Sequence, residues 1–284
     1  MKIILSIALL FCSISFGQEL FTFQVPTTQQ IQESNISMIV HLYNSYLNDG
    51  EINPRYSEID TITFDPISGR ALMITTGGYT QESSTKVFQY NDDSNYPFQA
   101  ELYFHDYEEN YADYEVYRTF EYTYDDNGKM ISLALYNDKG KLFDVDYYSY
   151  DSKGRLISLK NGNGEIIKGE ERYIYDDNTR TYEHIDSYDK TIKYELNEKG
   201  DIVATYAPLY SGGFDKNDYE NQYDSSGRII STIRSRDGIL ISKKEYHYNF
   251  DGNLREEAEY FNSQGQWRIT KKHLYIYLQD NEGE

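Results

Sequence analysis

Along most of this chain, aromatic and aliphatic side chains alternate with polar ones in short runs, and clusters of Asp, Asn, Ser and Gly separate the runs. A period of two predicts half-buried β-strands joined by tight turns. From residue 121 onward an aromatic recurs four positions before a glycine, with Asp or Asn beside it. The copies are Tyr124-Asp-Asp-Asn-Gly128, Tyr136-Asn-Asp-Lys-Gly140, Tyr150-Asp-Ser-Lys-Gly154, Tyr223-Asp-Ser-Ser-Gly227, Tyr248-Asn-Phe-Asp-Gly252 and Phe261-Asn-Ser-Gln-Gly265. Weaker copies are Tyr175-Asp-Asp-Asn, with Thr179 in the glycine slot, and Leu196-Asn-Glu-Lys-Gly200; Gly164 and Gly238 mark turns that lack the aromatic.

Each position of this box has a mechanical task. Asp or Asn after the aromatic hydrogen-bonds the backbone two residues on and starts the turn. The glycine supplies the positive φ that a type I turn with a G1 bulge requires. The segment from Thr181 to Tyr188 alternates as a strand, with Tyr182, His184, Asp186 and Tyr188 on one face. Twelve or so strands of ~26 Å, laid side by side at ~4.8 Å, make a ribbon ~55 Å wide. Sheets that wide curl or split. The expectation is an all-β fold: a curved or partly rolled antiparallel meander, with Tyr, Ile and Leu on its concave side and an irregular N-terminal capping region.

The N-terminal part is less regular. Thr27-Thr-Gln-Gln30 resembles a helix capping box, and Ile36, Ile39, Val40, Tyr43 and Leu47 have helical spacing. Ile36, Met38, Val40 and Leu42 also alternate, and Tyr46-Leu-Asn-Asp-Gly50 repeats the box, which favours a strand. Gly77-Gly78 and Asp92-Asp93-Ser94-Asn95 read as turns. Residues 1–17 read as a signal peptide: Lys2, an apolar run from Ile3 to Phe11, then Ser15-Phe16-Gly17 before Gln18. Cys12 permits lipidation, but bulky Phe11 precedes it where a small residue belongs. The divisions expected are 1–17 signal peptide, 18–120 N-terminal cap within the same sheet, 121–277 hairpin repeats and 278–284 acidic tail.

Cleavage after Gly17 removes the single cysteine, so the exported chain holds together without disulfides. The full chain carries a net charge of −20, which repels phosphate backbones and excludes nucleic acid as a partner. No apolar stretch is long enough for a membrane-spanning helix. The 31 tyrosines suit pleated, half-buried surfaces and exclude disorder as the meaning of the polarity.

Tyr150-Asp-Ser-Lys-Gly-Arg-Leu-Ile157 and Tyr223-Asp-Ser-Ser-Gly-Arg-Ile-Ile230 resemble the YD repeat of the Rhs and wall-associated bacterial proteins. The resemblance covers residues 121 to 277, and more weakly Phe64-Asp-Pro-Ile-Ser-Gly-Arg70. It implies a β-sheet wound into a hollow shell, often around a C-terminal toxin domain. Only Leu278 to Glu284 follow the repeats here, so the resemblance implies the repeat and not the toxin.

No chemistry is spelled out. His41, His105, His184, His247 and His273 stand apart in sequence, and of the acidic residues beside His184, Glu183 and Asp186, only Asp186 shares its strand face. Nucleophile and metallohydrolase motifs are missing. The acidic turn Asp125-Asp126-Asn127-Gly128 offers oxygens to calcium, yet a hairpin needs the same residues. Tyrosines suit glycans or cross-strand packing, and Trp267 falls where other repeats carry Met130, Leu142 or Leu156 and reads as core. No catalytic, cofactor-binding or metal-ligating residue is assigned. The expectation is an exported, non-enzymatic protein, periplasmic, envelope-bound or secreted, that needs no cofactor and binds a protein or surface polysaccharide through its sheet. The alternatives are a secreted glycan-active enzyme, with carboxylates paired on a concave face, and an accessory or immunity component of an Rhs-like toxin system. Acidic residues confined to turns would favour the binder.

Overall fold

The structure, a computed structural model, describes residues 28–46, 52–65, 67–78, 82–91, 94–106, 115–163, 166–209 and 212–279. The signal segment, Gly50, Asp92-Asp93, Gly164 and the tail beyond residue 279 lie outside them. A short helix, α1 (Thr28–Glu33), comes first. Five strands follow: β1 (Ile36–Tyr46), β2 (Ile52–Phe64), β3 (Ala71–Gly78), β4 (Glu82–Tyr90) and β5 (Pro97–Asp106). Next come β6 (Arg118–Tyr124), β7 (Met130–Asn137), β8 (Leu142–Tyr150), β9 (Leu156–Gly162), β10 (Ile167–Asp176), β11 (Thr181–Ile185) and β12 (Thr191–Leu196). The last six are β13 (Ile202–Pro208), β14 (Phe214–Tyr223), β15 (Ile229–Arg236), β16 (Ile239–Tyr248), β17 (Leu254–Ser263) and β18 (Gln266–Gln279).

Every strand pairs antiparallel with the next, and β1 pairs with β18 as well as with β2. The sheet is thus a closed 18-stranded up-and-down barrel, not the curved or partly rolled meander that the turn count suggests. The reason lies in β1: Ile39, His41 and Tyr43 meet Tyr277, Tyr275 and His273 in register, so neither end strand keeps a row of unpaired amides and carbonyls. The N-terminal region is not irregular either, because it supplies five full strands to the wall. Residues 28–33 are helical, and the strand expected for that region starts at Ile36.

The turns behave as the box dictates. In the Tyr124 copy, Gly128 N–H donates to the Asp125 carbonyl and Asp125 N–H to the Lys129 carbonyl, with Gly128 at φ +76°. Asp125 Oδ1 accepts the Asn127 and Lys129 amides at 2.9 and 2.8 Å, and Asp151 and Asp224 repeat this pattern. These donors, the Lys129 amide chiefly, hold the Asp125 carboxyl below its usual range. Gly227 sits at φ +80° with nothing within 4 Å of a hypothetical Cβ. Gly227→Val is therefore expected to cost about 1–3 kcal/mol through backbone strain alone, read as a lower denaturation midpoint. An unchanged midpoint would contradict the turn geometry.

Two local expectations need correction. In the Tyr175 copy the left-handed residue is Arg180 (φ 54°), one place beyond Thr179, because β10 and β11 pair through Asp176 and Thr181 and leave a four-residue loop. The run from Thr181 to Tyr188 is strand only to Ile185. Asp186 then opens a turn, accepting the Tyr188 and Lys190 amides on Oδ1, with Asp189 (φ 59°) in the glycine place.

Turns after even-numbered strands gather at one mouth of the barrel, and those after odd-numbered strands at the other. Most tyrosine boxes are therefore at one mouth, where they interlock. Tyr90, Tyr150, Tyr248 and Tyr277 each donate a hydroxyl proton to the carbonyl of the first residue of the preceding strand, at 2.6–2.9 Å. The cation after one box glycine lies over the tyrosine of the next box at that mouth: Arg155 over Tyr175 at 4.1 Å and Arg228 over Tyr248 at 4.5 Å. Each two-stranded unit thereby ties down its successor.

The box tyrosines and the residues two before them share the face that holds the three apolar clusters. These centre on Ile39, Ile62 and Tyr275; on Ala100, Leu102 and Phe120; and on Tyr148, Leu159 and Tyr173. Ile31 of α1 packs into the first. This buried face is the inner one. The opposite face carries charge at mid-strand, including Glu170, Arg172, Glu183, Lys193, Glu195, Lys216, Lys243 and Glu245.

Candidate functional site

The register brings ionisable side chains to one height on the inner wall. Counting back four residues from the aromatic that ends an even strand gives Asp60 on β2, Lys86 on β4 and Asp146 on β8. The same count gives Glu171 on β10, Lys244 on β16 and His273 on β18. Strand alternation turns each toward the barrel axis, beyond two tiers of mostly aromatic side chains.

Most of these groups are paired. At the closing seam Asp60 Oδ2 lies 3.1 Å from His41 Nδ1, and His41 Nε2 lies 2.9 Å from His273 Nδ1. His41 is buried; its ring lies edge to edge with that of His273 through this hydrogen bond, within 4° of parallel and 5.2 Å between centroids, and stacks on Tyr275 at 4.9 Å. Burial, then the neighbouring His41, pushes His273 down to about 4. Beside them Lys244 donates to Glu257 at 2.9 Å and pairs with Glu259 at 2.6 Å. Burial alone would depress this lysine, but the two carboxylates outweigh it and hold the ammonium above its usual range.

A second group spans β8 to β11. Glu171 bonds His184 at 2.9 Å and accepts from the Tyr173 hydroxyl at 3.2 Å, and the rings of Tyr173 and His184 stack at 4.6 Å. Asp146 accepts from Asn161 at 2.7 Å, and Asp144 pairs with Lys168 at 3.5 Å. Burial first, then the charges of Asp144 and Glu171, raises the Asp146 carboxyl, whereas the bond to His184 lowers Glu171.

The sequence placed carboxylates mainly in turns; among the described residues six stand on the inner wall instead. His184 meets Glu171 of the preceding strand, not Asp186, and His41 finds His273 across 232 residues. The common signal was the offset of four from the box aromatic, visible in the repeat but not informative until the even strands share a mouth. Trp267 is half-buried on the outer face beneath Lys243, 5.5 Å from its ring, and not in the core. Asp125, Asp151 and Asp224 each accept amides of their own turn on Oδ1, and among the described residues no group of three or more His, Cys, Asp or Glu side chains could hold a metal. Tyr175, Tyr182 and Tyr194 form a ladder at 5.6 and 4.4 Å, the second pair parallel within 4°. These rings face one another across strands, so the ladder is packing and not a stacking platform.

Aromatic faces do stand open at the mouth opposite the interlocked boxes. Phe104, Tyr117 and Phe143 are 37, 45 and 50% exposed. Phe104 meets Tyr117 edge-on at 4.6 Å, and Arg118 bridges Tyr117 and Phe143 at 5.0 and 5.6 Å. Lys168 reaches Phe143 at 5.9 Å.

No protein-family profile matches the chain, and no curated protein does. Among solved structures, a porin-like protein from Bacteroides uniformis aligns over 86% of this chain and 97% of its own, at 10% identity and TM-score 0.47. The TcdB2-TccC3 structure aligns over 85% of this chain and 16% of its own, at 11% identity and TM-score 0.34. A protein of unknown function from Bacteroides fragilis aligns over 55% of this chain and 91% of its own, at 12% identity and TM-score 0.14. Among the described residues no helix is long and apolar enough to cross a membrane.

Proposed function

We propose that the chain is an exported, non-enzymatic barrel that binds a surface polysaccharide at the rim formed by Phe104, Tyr117 and Phe143. The carrying observation is that Phe104 touches Tyr117, Arg118 links Tyr117 to Phe143, and all three rings remain open, whereas the tyrosines of the inner ladder cover one another. Open ring faces beside polar groups suit sugar rings, which offer C–H faces for stacking and hydroxyls for hydrogen bonds. Export rests on the segment ending at Gly17, and mass spectrometry of the mature protein should find Gln18 at its N-terminus. A diacylglyceryl-Cys12 terminus would replace the released form with an anchored one. The YD-type resemblance supports the repeat unit and adds no partner.

An envelope polysaccharide fraction from the producing organism should be retained by the immobilised wild-type protein. Retention should be lost in a Phe104→Ala/Phe143→Ala variant whose denaturation midpoint is unchanged. Equal retention by both would remove the rim from the account.

A glycan-active enzyme is the second reading, favoured by Asp146 and Glu171. Their environments push one carboxyl up and the other down, as an acid paired with an ionised partner requires. Carboxylates on the inner wall, rather than confined to turns, count for this reading; both of these are already hydrogen-bonded inside the wall, which counts against it. Release of reducing ends from a polysaccharide, abolished by Asp146→Asn, would reverse the choice. A bilayer-spanning barrel is disfavoured by the outer face, since each mid-strand Lys or Arg facing lipid costs about 2–4 kcal/mol.

A further inference from the structure

We infer that Lys86 and Arg118 form a site for the carboxylate of an acidic sugar, just inside the aromatic rim; this rests on the rim-binding reading above. Lys86 on β4 and Arg118 on β6 flank Leu102 of β5 at one level, each in register with it. Two strand spacings place their backbones about 10 Å apart, a span that two long side chains can close around one anion. The inner-wall carboxylates of Asp60, Asp144, Asp146, Glu171, Glu257 and Glu259 all have partners. These two cations have no carboxylate partner among the described residues.

Lys86 is only 7% exposed, and its contact is the Phe120 ring, 3.9 Å from Nζ. Burial with no compensating charge brings its ammonium down to about 8. A buried cation without a counter-ion is costly. A bound carboxylate would supply that counter-ion and stabilise the protonated amine. Arg118 offers a planar fork for the same group, and its guanidinium already lies against Tyr117 and Phe143. A sugar ring on those aromatic faces would carry its carboxylate toward Arg118 and Lys86. In a chain of net charge −20 this is a local positive centre, so an acidic ligand is selected by the rim and not by the surface as a whole.

The test is calorimetric titration of the full mature protein with tetragalacturonate, maltotetraose and poly-L-glutamate. Tetragalacturonate should bind at least about 10-fold more tightly than maltotetraose, a difference of 1.4 kcal/mol. Lys86→Met and Arg118→Gln should each weaken it about 10-fold or more. Lys86→Met should leave the denaturation midpoint unchanged or raised, because it removes an unpaired buried charge; a purely structural lysine would lower it. Binding needs the ammonium, so affinity should hold below pH 8 and fall above it. Equal binding of both tetrasaccharides would overturn the anion site and leave the rim reading standing. Binding of poly-L-glutamate alone would overturn the acidic sugar. No binding of any probe overturns the site if envelope polysaccharide is still retained through Phe104 and Phe143, and overturns both readings if it is not.

Discussion

Replacing His41 with Leu is expected to destabilise the barrel by about 3 kcal/mol, the upper end of the cost of leaving buried hydrogen-bonding groups without a partner. His41 faces Asp60 at 3.1 Å and His273 at 2.9 Å, and both depend on it. Asp60 Oδ1 is buried and has no hydrogen-bond partner, so losing the bond to Oδ2 would strand the whole carboxylate. Equilibrium unfolding in urea measures the loss. The double variant His41→Leu/Asp60→Leu should regain most of it, because an apolar pair replaces a hydrogen-bonded one and the carboxylate is no longer left buried without a partner. A loss below about 1 kcal/mol for His41→Leu would show that the three groups do not act as a unit.

Acid should weaken the same seam before it titrates the carboxylates. The folded-state value of His273 is about 4 against 6.5 in the unfolded chain, so on acidification the unfolded chain takes up this proton first. Its contribution is complete above about pH 6.5 and is lost as pH falls toward 4. Each unit is worth about 1.4 kcal/mol, and the ring's partial solvation reduces the total to roughly 2 kcal/mol. His41 and Tyr43 on β1, Glu257 and Glu259 on β17, Lys244 on β16 and Lys271 on its own strand surround this imidazole. His273→Asn should flatten the stability profile between pH 6.5 and 4. A profile as steep as that of the wild type would assign the slope to other groups.

The parts of this fold that could be read from the sequence are the local ones. Asp125 and Gly128 lie within five residues of Tyr124, and their turn geometry follows from side-chain reach and the freedom of glycine at positive φ. The Asp186 turn was missed because its left-handed residue is Asp189, which the box does not announce. Closure was not legible, because a strand pattern does not name its partner, and that of β1 is the last strand of the chain. The candidate site shares this limit. Asp60, His41 and His273 are unremarkable where they stand in sequence and become one group only once the seam closes. Lys86 reads as an ordinary alternating lysine until the register sets it at mid-height on the inner wall. The rim rings Phe104, Tyr117 and Phe143 have no common spacing at all and come together only because β5 ends, and β6 and β8 begin, at the same mouth.

Closure of the barrel is the claim on which the seam, the inner wall and the rim all depend. Val40 and Ile276 are opposite one another across β1 and β18 and point outward. In a chain starting at Gln18, which contains no cysteine, the Val40→Cys/Ile276→Cys variant should form an intramolecular disulfide under mild oxidation, since directly opposed antiparallel residues lie within disulfide reach. The fraction cross-linked, read by mass spectrometry of the non-reduced protein, is expected to approach completion. A Val40→Cys/Ile230→Cys control, whose second cysteine lies on β15, should stay reduced or form only intermolecular bonds. Failure of the Val40–Ile276 pair to cross-link, with the protein still folded, would contradict the closed barrel and restore an open sheet with two free edges.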